Sequence, residues 1–189
     1  MAPDVAATTA AREDAELMRR VQTGDETALG ELMQRWELPV KSVIGRIVLN
    51  ASEAEELAQE AFVRLWQQRH KYRPDAPFRP WIFAIAVNLA RNRLRWWRSR
   101  PEVAIEQWSE PASESGGGDR SAELAERTAA VRDAIAALPT DLREALVLFE
   151  YEQMSQAEIA TVVGASAKAV ETRIHRARER LRARLKAWV

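Results

Sequence analysis

The 189-residue sequence contains no cysteine, which excludes disulfides, thiolate metal sites and thiol nucleophiles and fits a reducing cytoplasm. It has only two histidines, His70 and His175. Neither an H-E-x-x-H pair nor a G-x-x-x-x-G-K phosphate loop occurs. With the carboxylates falling mainly on polar helix faces or in a linker, neither an enzyme nor a cofactor or metal is expected. No apolar run approaches the roughly 20 residues that a membrane span needs, so no membrane insertion is expected. The stretch from Met1 to Ala11 lacks the basic-then-apolar pattern of a signal peptide, and residues 1–13 read as a disordered tail.

Net charge is also missing, since 28 Lys and Arg balance 28 Asp and Glu. The balance conceals segregation. From Arg79 to Arg100 there are six arginines and no acid, and from Lys168 to Val189 eight basic residues face only Glu171 and Glu179. Between them, residues 101–126 carry seven acids against Arg120. Charge in blocks of this kind predicts two separate contacts with an anionic partner, joined by an acidic tether.

What the chain does have is helical periodicity, with no useful strand-like alternation. A first helix is expected from Asp14 to about Thr23, ended by Gly24. Asp25 should cap a second, kinked at Pro39 and ended at Asn50. Ser52 and Glu55 read as a capping box for a third over Glu53 to about Gln68, with apolar Leu57, Ala61, Val63, Leu65 and Trp66. A fourth, with Pro80 in its first turn, should run to about Arg98 and bury Ile82, Ile85, Ala86 and Leu89. Pro101 opens a linker whose Ser-Gly-Gly-Gly stretch is flexible by composition. Four further helices are expected over 121–137, 141–151, 156–163 and 167–187. The predicted fold is all-α: two small helical domains, 14–100 and 121–189, joined by a flexible acidic linker, 101–120.

The most specific local signal lies near the C-terminus. Ser155 and Glu158 form a capping box, Gly164 suits a left-handed helix end, and Ser166 suits the next N-cap. Ala160 before Gly164 and Val170 after it fit two tightly crossing helices, a helix-turn-helix. Val170, Ile174, Ala177, Leu181, Leu185 and Trp188 make the buried stripe of the last helix. Lys168, Thr172, His175, Arg176 and Glu179 lie on the opposite face, where early side chains reach base edges and later arginines hold phosphates. Upstream, Asn88 and Asn92 share one face of the arginine-rich helix, and Asn offers both donor and acceptor to base edges. Of the aromatics nearby, Phe78 and Trp81 read as core rather than stacking residues. Trp96 and Trp97 lie at the basic end, free to stack on bases or to pack on the linker or the other domain.

The stretches Ser52-Glu-Ala-Glu-Glu-Leu-Ala-Gln-Glu-Ala-Phe-Val-Arg-Leu-Trp66 and Phe78-Arg-Pro-Trp-Ile-Phe-Ala-Ile-Ala-Val-Asn-Leu-Ala-Arg-Asn-Arg-Leu94 resemble region 2 of bacterial sigma factors. Ala137-Leu-Pro-Thr-Asp-Leu-Arg-Glu-Ala-Leu146, Met154-Ser-Gln-Ala-Glu-Ile-Ala160 and Glu171-Thr-Arg-Ile-His-Arg-Ala-Arg-Glu-Arg-Leu181 resemble region 4. Together they are similar to the extracytoplasmic-function (ECF) subfamily of the sigma-70 family, over Asp14 to Lys186. The resemblance implies binding to core RNA polymerase, through the β′ coiled coil at Glu55, Glu56, Gln59 and Glu60 and through the β flap at the second domain. It implies recognition of double-stranded promoter DNA at the −35 element by Lys168, Glu171, Thr172, Arg173, His175, Arg176 and Arg178. It also implies capture of the −10 element and its non-template strand by Tyr72, Asn88, Arg91, Asn92 and Arg95, and an anti-sigma factor as a further partner. The chain departs from the family pattern at Lys168-Ala169, at Glu171, where a basic residue is usual, and at Ala84. An acid there accepts from cytosine but neutralises no phosphate. A different class of function, a self-sufficient helix-turn-helix regulator with an N-terminal sensor or dimerisation domain, would not need the basic aromatic helix.

Overall fold

A computed structural model describes residues 5–100 and 119–186, and every regular element among them is helical. Helix α1 spans Val5–Gln22. It starts upstream of the expected Asp14, which corrects the expected disordered tail from Val5 onward; the alanine-rich lead-in is a good helix former that carries no apolar period. Gly24 adopts φ +93° and turns the chain into Asp25, whose side chain accepts from the backbone N–H of Thr27 and Ala28 at 2.9 and 3.1 Å. Helix α2, Glu26–Val48, runs on through Pro39. It ends at Leu49 in the left-handed region, φ 62°.

Helix α3, Ala51–Gln68, is capped by Asn50, which accepts from Glu53 N–H at 3.0 Å. This corrects the expected Ser52–Glu55 capping box, for α2 stops just early enough to leave Asn50 extended at the cap. Glu55 pairs instead with Lys41 of α2. A short 3-10 turn, Arg69–Lys71, leads to helix α4, Phe78–Ser99, with Pro80 in its first turn. That position needs no N–H donor. Helices α5, Asp119–Ala136, α6, Thr140–Glu150, α7, Gln156–Val163, and α8, Ala167–Arg184, follow. Of the expected linker, residues 101–118 lie outside the described residues, as does Trp188 of the expected stripe on α8.

Helices α1 to α4 enclose Met18, Leu32, Ile44, Ile47, Leu57, Leu65, Ile82 and Phe83. The buried cluster does not stop there. It continues without a break into Leu148, Met154, Ile159, Val162, Val170 and Ile174 of the C-terminal helices, because α7 packs along α4 and α6 packs on α2. Helix α4 buries Val87 and Ala90 besides the expected Ile82, Ile85, Ala86 and Leu89. Helix α6 is buried at every position from Leu142 to Leu148, including Arg143 and Glu144. A second, smaller cluster joins Leu138, Leu142, Leu146 and Ala177.

Candidate nucleic-acid interface

The C-terminal turn chemistry forms as its residues dictate. Ser155 Oγ accepts from Glu158 N–H at 3.3 Å while the Glu158 carboxylate accepts from Ser155 N–H at 2.8 Å. Gly164 ends α7 at φ 67°, and Ser166 caps α8 by accepting from Ala169 N–H at 3.1 Å. Val170, Ile174 and Ala177 fix the inner side of α8. Lys168, Glu171, His175 and Arg176 are exposed on the outer side, with Thr172 half-buried. Lys168 Nζ donates to Glu171 at 2.8 Å, so the acid that departs from the family pattern is balanced on its own helix. His175 lies 3.4 Å from Glu179.

Two expected members of this face are engaged by α6, Arg178 at the surface and Arg173 half-buried. The Arg178 guanidinium donates to Glu150 of α6 at 2.7 Å and covers the Phe149 ring at 5.0 Å. Arg173 lies 3.8 Å from Asp141 and is largely covered. Both tie α8 to α6, whereas Arg176 on the same turns is exposed on the outer side.

On α4, Asn88, Asn92 and Arg95 are exposed at spacings of four and three, a single stripe. Arg91 belongs to the same stripe by spacing, yet its guanidinium is held by Glu144 of α6 in a two-pronged pair of 2.9 and 2.6 Å. Glu144 is 1% exposed, and its hydrogen bond holds Arg91 more firmly protonated than a free arginine. Tyr72 is a correction to the sequence reading. It is 2% exposed, its hydroxyl donates to Ala76 O at 2.7 Å, and its ring meets Trp81 edge-on at 5.2 Å. The ring completes an aromatic cluster with Trp36, Phe78 and Phe83 and leaves no face for a base. Burial pushes its phenol upward. As expected, Phe78 is core, and Trp81 packs against that core. Trp96 is exposed, while Trp97 packs against the core.

On α3, Glu56 and Gln59 are exposed, Glu55 pairs with Lys41, and Glu60 pairs with Arg64 at 2.7 Å. Val63, expected in the apolar stripe, is instead 54% exposed and shares the face of Glu56, Gln59 and Glu60. Phe62 takes the inward place. Sequence reasoning missed Arg143 and Glu144, which an amphipathic reading of α6 assigns to solvent. The available signal was the apolar run Ala145–Phe149, which leaves no polar side on that helix. Among the described residues no group of His, Asp or Glu is arranged to hold a metal ion, and no helix is long and apolar enough to cross a membrane.

Comparison with known proteins agrees with this architecture. Residues 32–100 match the family described as Sigma-70 region 2, and residues 128–181 match Sigma-70, region 4. The chain is 35% identical over 175 residues to the RNA polymerase sigma-H factor of Pseudomonas aeruginosa, covering 88% of this chain and 91% of that one. It is 32% identical over 174 residues to the ECF RNA polymerase sigma-E factor of Escherichia coli, covering 88% and 91%. Among solved structures, CnrH in complex with the cytosolic domain of CnrY superposes with a TM-score of 0.69 at 30% identity, over 93% of this chain and 98% of that one. The chain belongs to the extracytoplasmic-function subfamily of the sigma-70 family of RNA polymerase sigma factors.

Proposed function

We propose that this sigma factor works as two units, residues 14–100 and 121–189, that deliver core RNA polymerase to a two-part promoter. The observation that carries the reading is the presence on one chain of two solvent-facing polar stripes, each on one side of a helix. One is Asn88, Asn92 and Arg95 on α4; the other is Lys168, Glu171, His175 and Arg176 on α8, with half-buried Thr172 beside them. The α8 stripe enters the major groove at the −35 element, as the second helix of a helix-turn-helix does. The α4 stripe takes the −10 element, with Arg91 joining it when released from Glu144, and the basic residues along α4 track the backbone of the unpaired non-template strand. Arg173 and Arg178 support the −35 helix by holding it to α6.

The α3 face of Glu56, Gln59 and Glu60 meets the β′ coiled coil, with Val63 adding apolar contact at its centre, and the 121–189 unit meets the β flap. Catalysis is left to the polymerase, so this chain contributes no catalytic residue and acts in the cytoplasm. An anti-sigma factor is the expected inhibitor, since the similar CnrH is seen with the cytosolic domain of CnrY. Run-off transcription with core enzyme and genomic fragments, followed by start-site mapping, tests the reading. Initiation at discrete sites only when both proteins are present is expected. Tight, sequence-specific retention of promoter DNA by the chain alone would favour the self-sufficient regulator.

A further inference from the structure

The two DNA-facing units are docked on one another in a way that consumes the DNA-facing charge. Of the six arginines between Arg79 and Arg100, three meet residues of the C-terminal half. Arg91 grips Glu144 and also faces Val163 O at 3.4 Å. Arg98 donates to Thr140 Oγ1 at 2.8 Å, and Arg79 lies 3.8 Å from Glu152. In return Arg143 of α6 donates to Ile47 O at the end of α2 at 2.7 Å, and Arg46 covers the Tyr151 ring at 4.1 Å. Burial pushes the Glu152 carboxyl upward, with Arg79 and Arg46 opposing. The Arg91 pair sits in the middle of the Asn88–Arg95 stripe. With Nε and Nη2 held by a buried carboxylate and Nη1 facing Val163 O, the two-pronged edge of this guanidinium is taken and cannot grip a phosphate or a base edge in the same way.

We propose that the docked arrangement is a self-inhibited state of the free chain, in which the Glu144 carboxylate stands in for promoter DNA on Arg91. Docking and capture of the −10 strand are then mutually exclusive, and whatever parts the two units raises the competent fraction. A buried pair of this kind adds little net stability but is costly to break from one side, since the remaining charge is left uncompensated. It therefore works as a latch rather than as glue. The proposal rests on α4 being the −10 surface.

The chain lacks cysteine, so dyes placed at Gln34→Cys and Ala183→Cys, both exposed, report the separation of the two units in the full-length protein. A single narrow distance is expected for the otherwise native chain, and a broad, longer distribution for Glu144→Gln. A fluorescent oligothymidine strand should bind Glu144→Gln up to about tenfold more tightly if a tenth of the native chain is open. Reversing the pair, Arg91→Glu with Glu144→Arg, should restore the narrow distance. Should Glu144→Gln lose its helical signal, Thr140→Val, outside the buried pair, carries the same comparison. A broad distance in the native chain, or an unchanged distance in the variants, overturns the latch while leaving the −10 assignment standing. Opening without tighter strand binding overturns the inhibition together with the −10 role of α4.

Discussion

Asp25 shows how much one side chain organises. Its carboxylate accepts from the Thr27 hydroxyl and the Ala28 N–H and is gripped by Arg20 at 2.8 Å, which together hold it down at about 2. A carboxylate held below its unfolded value of about 3.9 stabilises the fold fully above that value, and the benefit is lost as pH falls toward the folded value. The stability gap between the native chain and Asp25→Asn, read from urea midpoints, should therefore be constant above about pH 5 and close between about pH 4 and 2. A gap that persists at pH 2 would assign the effect to the neutral hydrogen bonds. Asp14 has the opposite sign. Burial raises it against the help of Trp36 and Arg35, so its contribution falls as pH rises through its range. That Asp25 caps α2 was legible because an N-cap needs only its own next three residues. Asn50 was not, since Asn50 and Ser52 both suit the role, and the choice depends on Leu49 ending α2 in a left-handed turn. Tyr72 was missed for a related reason. A tyrosine in a proline-flanked loop reads as exposed until Trp36, Phe78 and Trp81 arrive from two other helices.

At the scale of the element, α8 was the most readable part of the chain. Two caps, a left-handed glycine and a 3.6-residue apolar period are all local, and each formed. The pairing of Arg173 and Arg178 with α6 was not readable, because it depends on Asp141 and Glu150 of that helix. Arg176→Ala should thus reduce transcription from −35-dependent promoters by about tenfold, the scale of one specific base or phosphate contact. It should leave thermal stability unchanged, because Arg176 is exposed. Arg178→Ala should do the reverse in part, lowering stability through the lost Glu150 and Phe149 contacts. Asn88→Ala, on the exposed stripe of α4, should impair opening while leaving core polymerase binding intact. Run-off yield, a gel-shift with core enzyme and a melting curve on the same preparations separate these outcomes. Helix α6 marks the limit of element-level reading. Its Arg143 and Glu144 look like a solvated pair in sequence, and only docking against α2 and α4 buries them.

For the whole molecule, the sequence gives two clusters of charge and a polar stretch between them, which reads as two independent domains. The main apolar cluster of the described residues instead runs without a break through both halves. Nothing local encodes this, because α4 reads as an ordinary amphipathic helix until α7 packs along it. A continuous core has a thermodynamic consequence, since units that share buried surface unfold together while units joined only by a tether unfold separately. The native chain should melt in a single transition whose calorimetric and van't Hoff enthalpies agree. Arg143 is the natural place to cut the coupling. Its guanidinium spans the junction, donating to Ile47 O on one side and to Ala136 O and Leu138 O on the other, and burial already disfavours its charge. Arg143→Met keeps the apolar stem but abandons three carbonyls, one of them on the far unit. The C-terminal helices, with the smaller core, should then melt first, and scanning calorimetry should resolve two transitions where the native chain gives one. Two transitions in the native chain would mean that the shared core contributes no coupling and that each unit stands on its own packing.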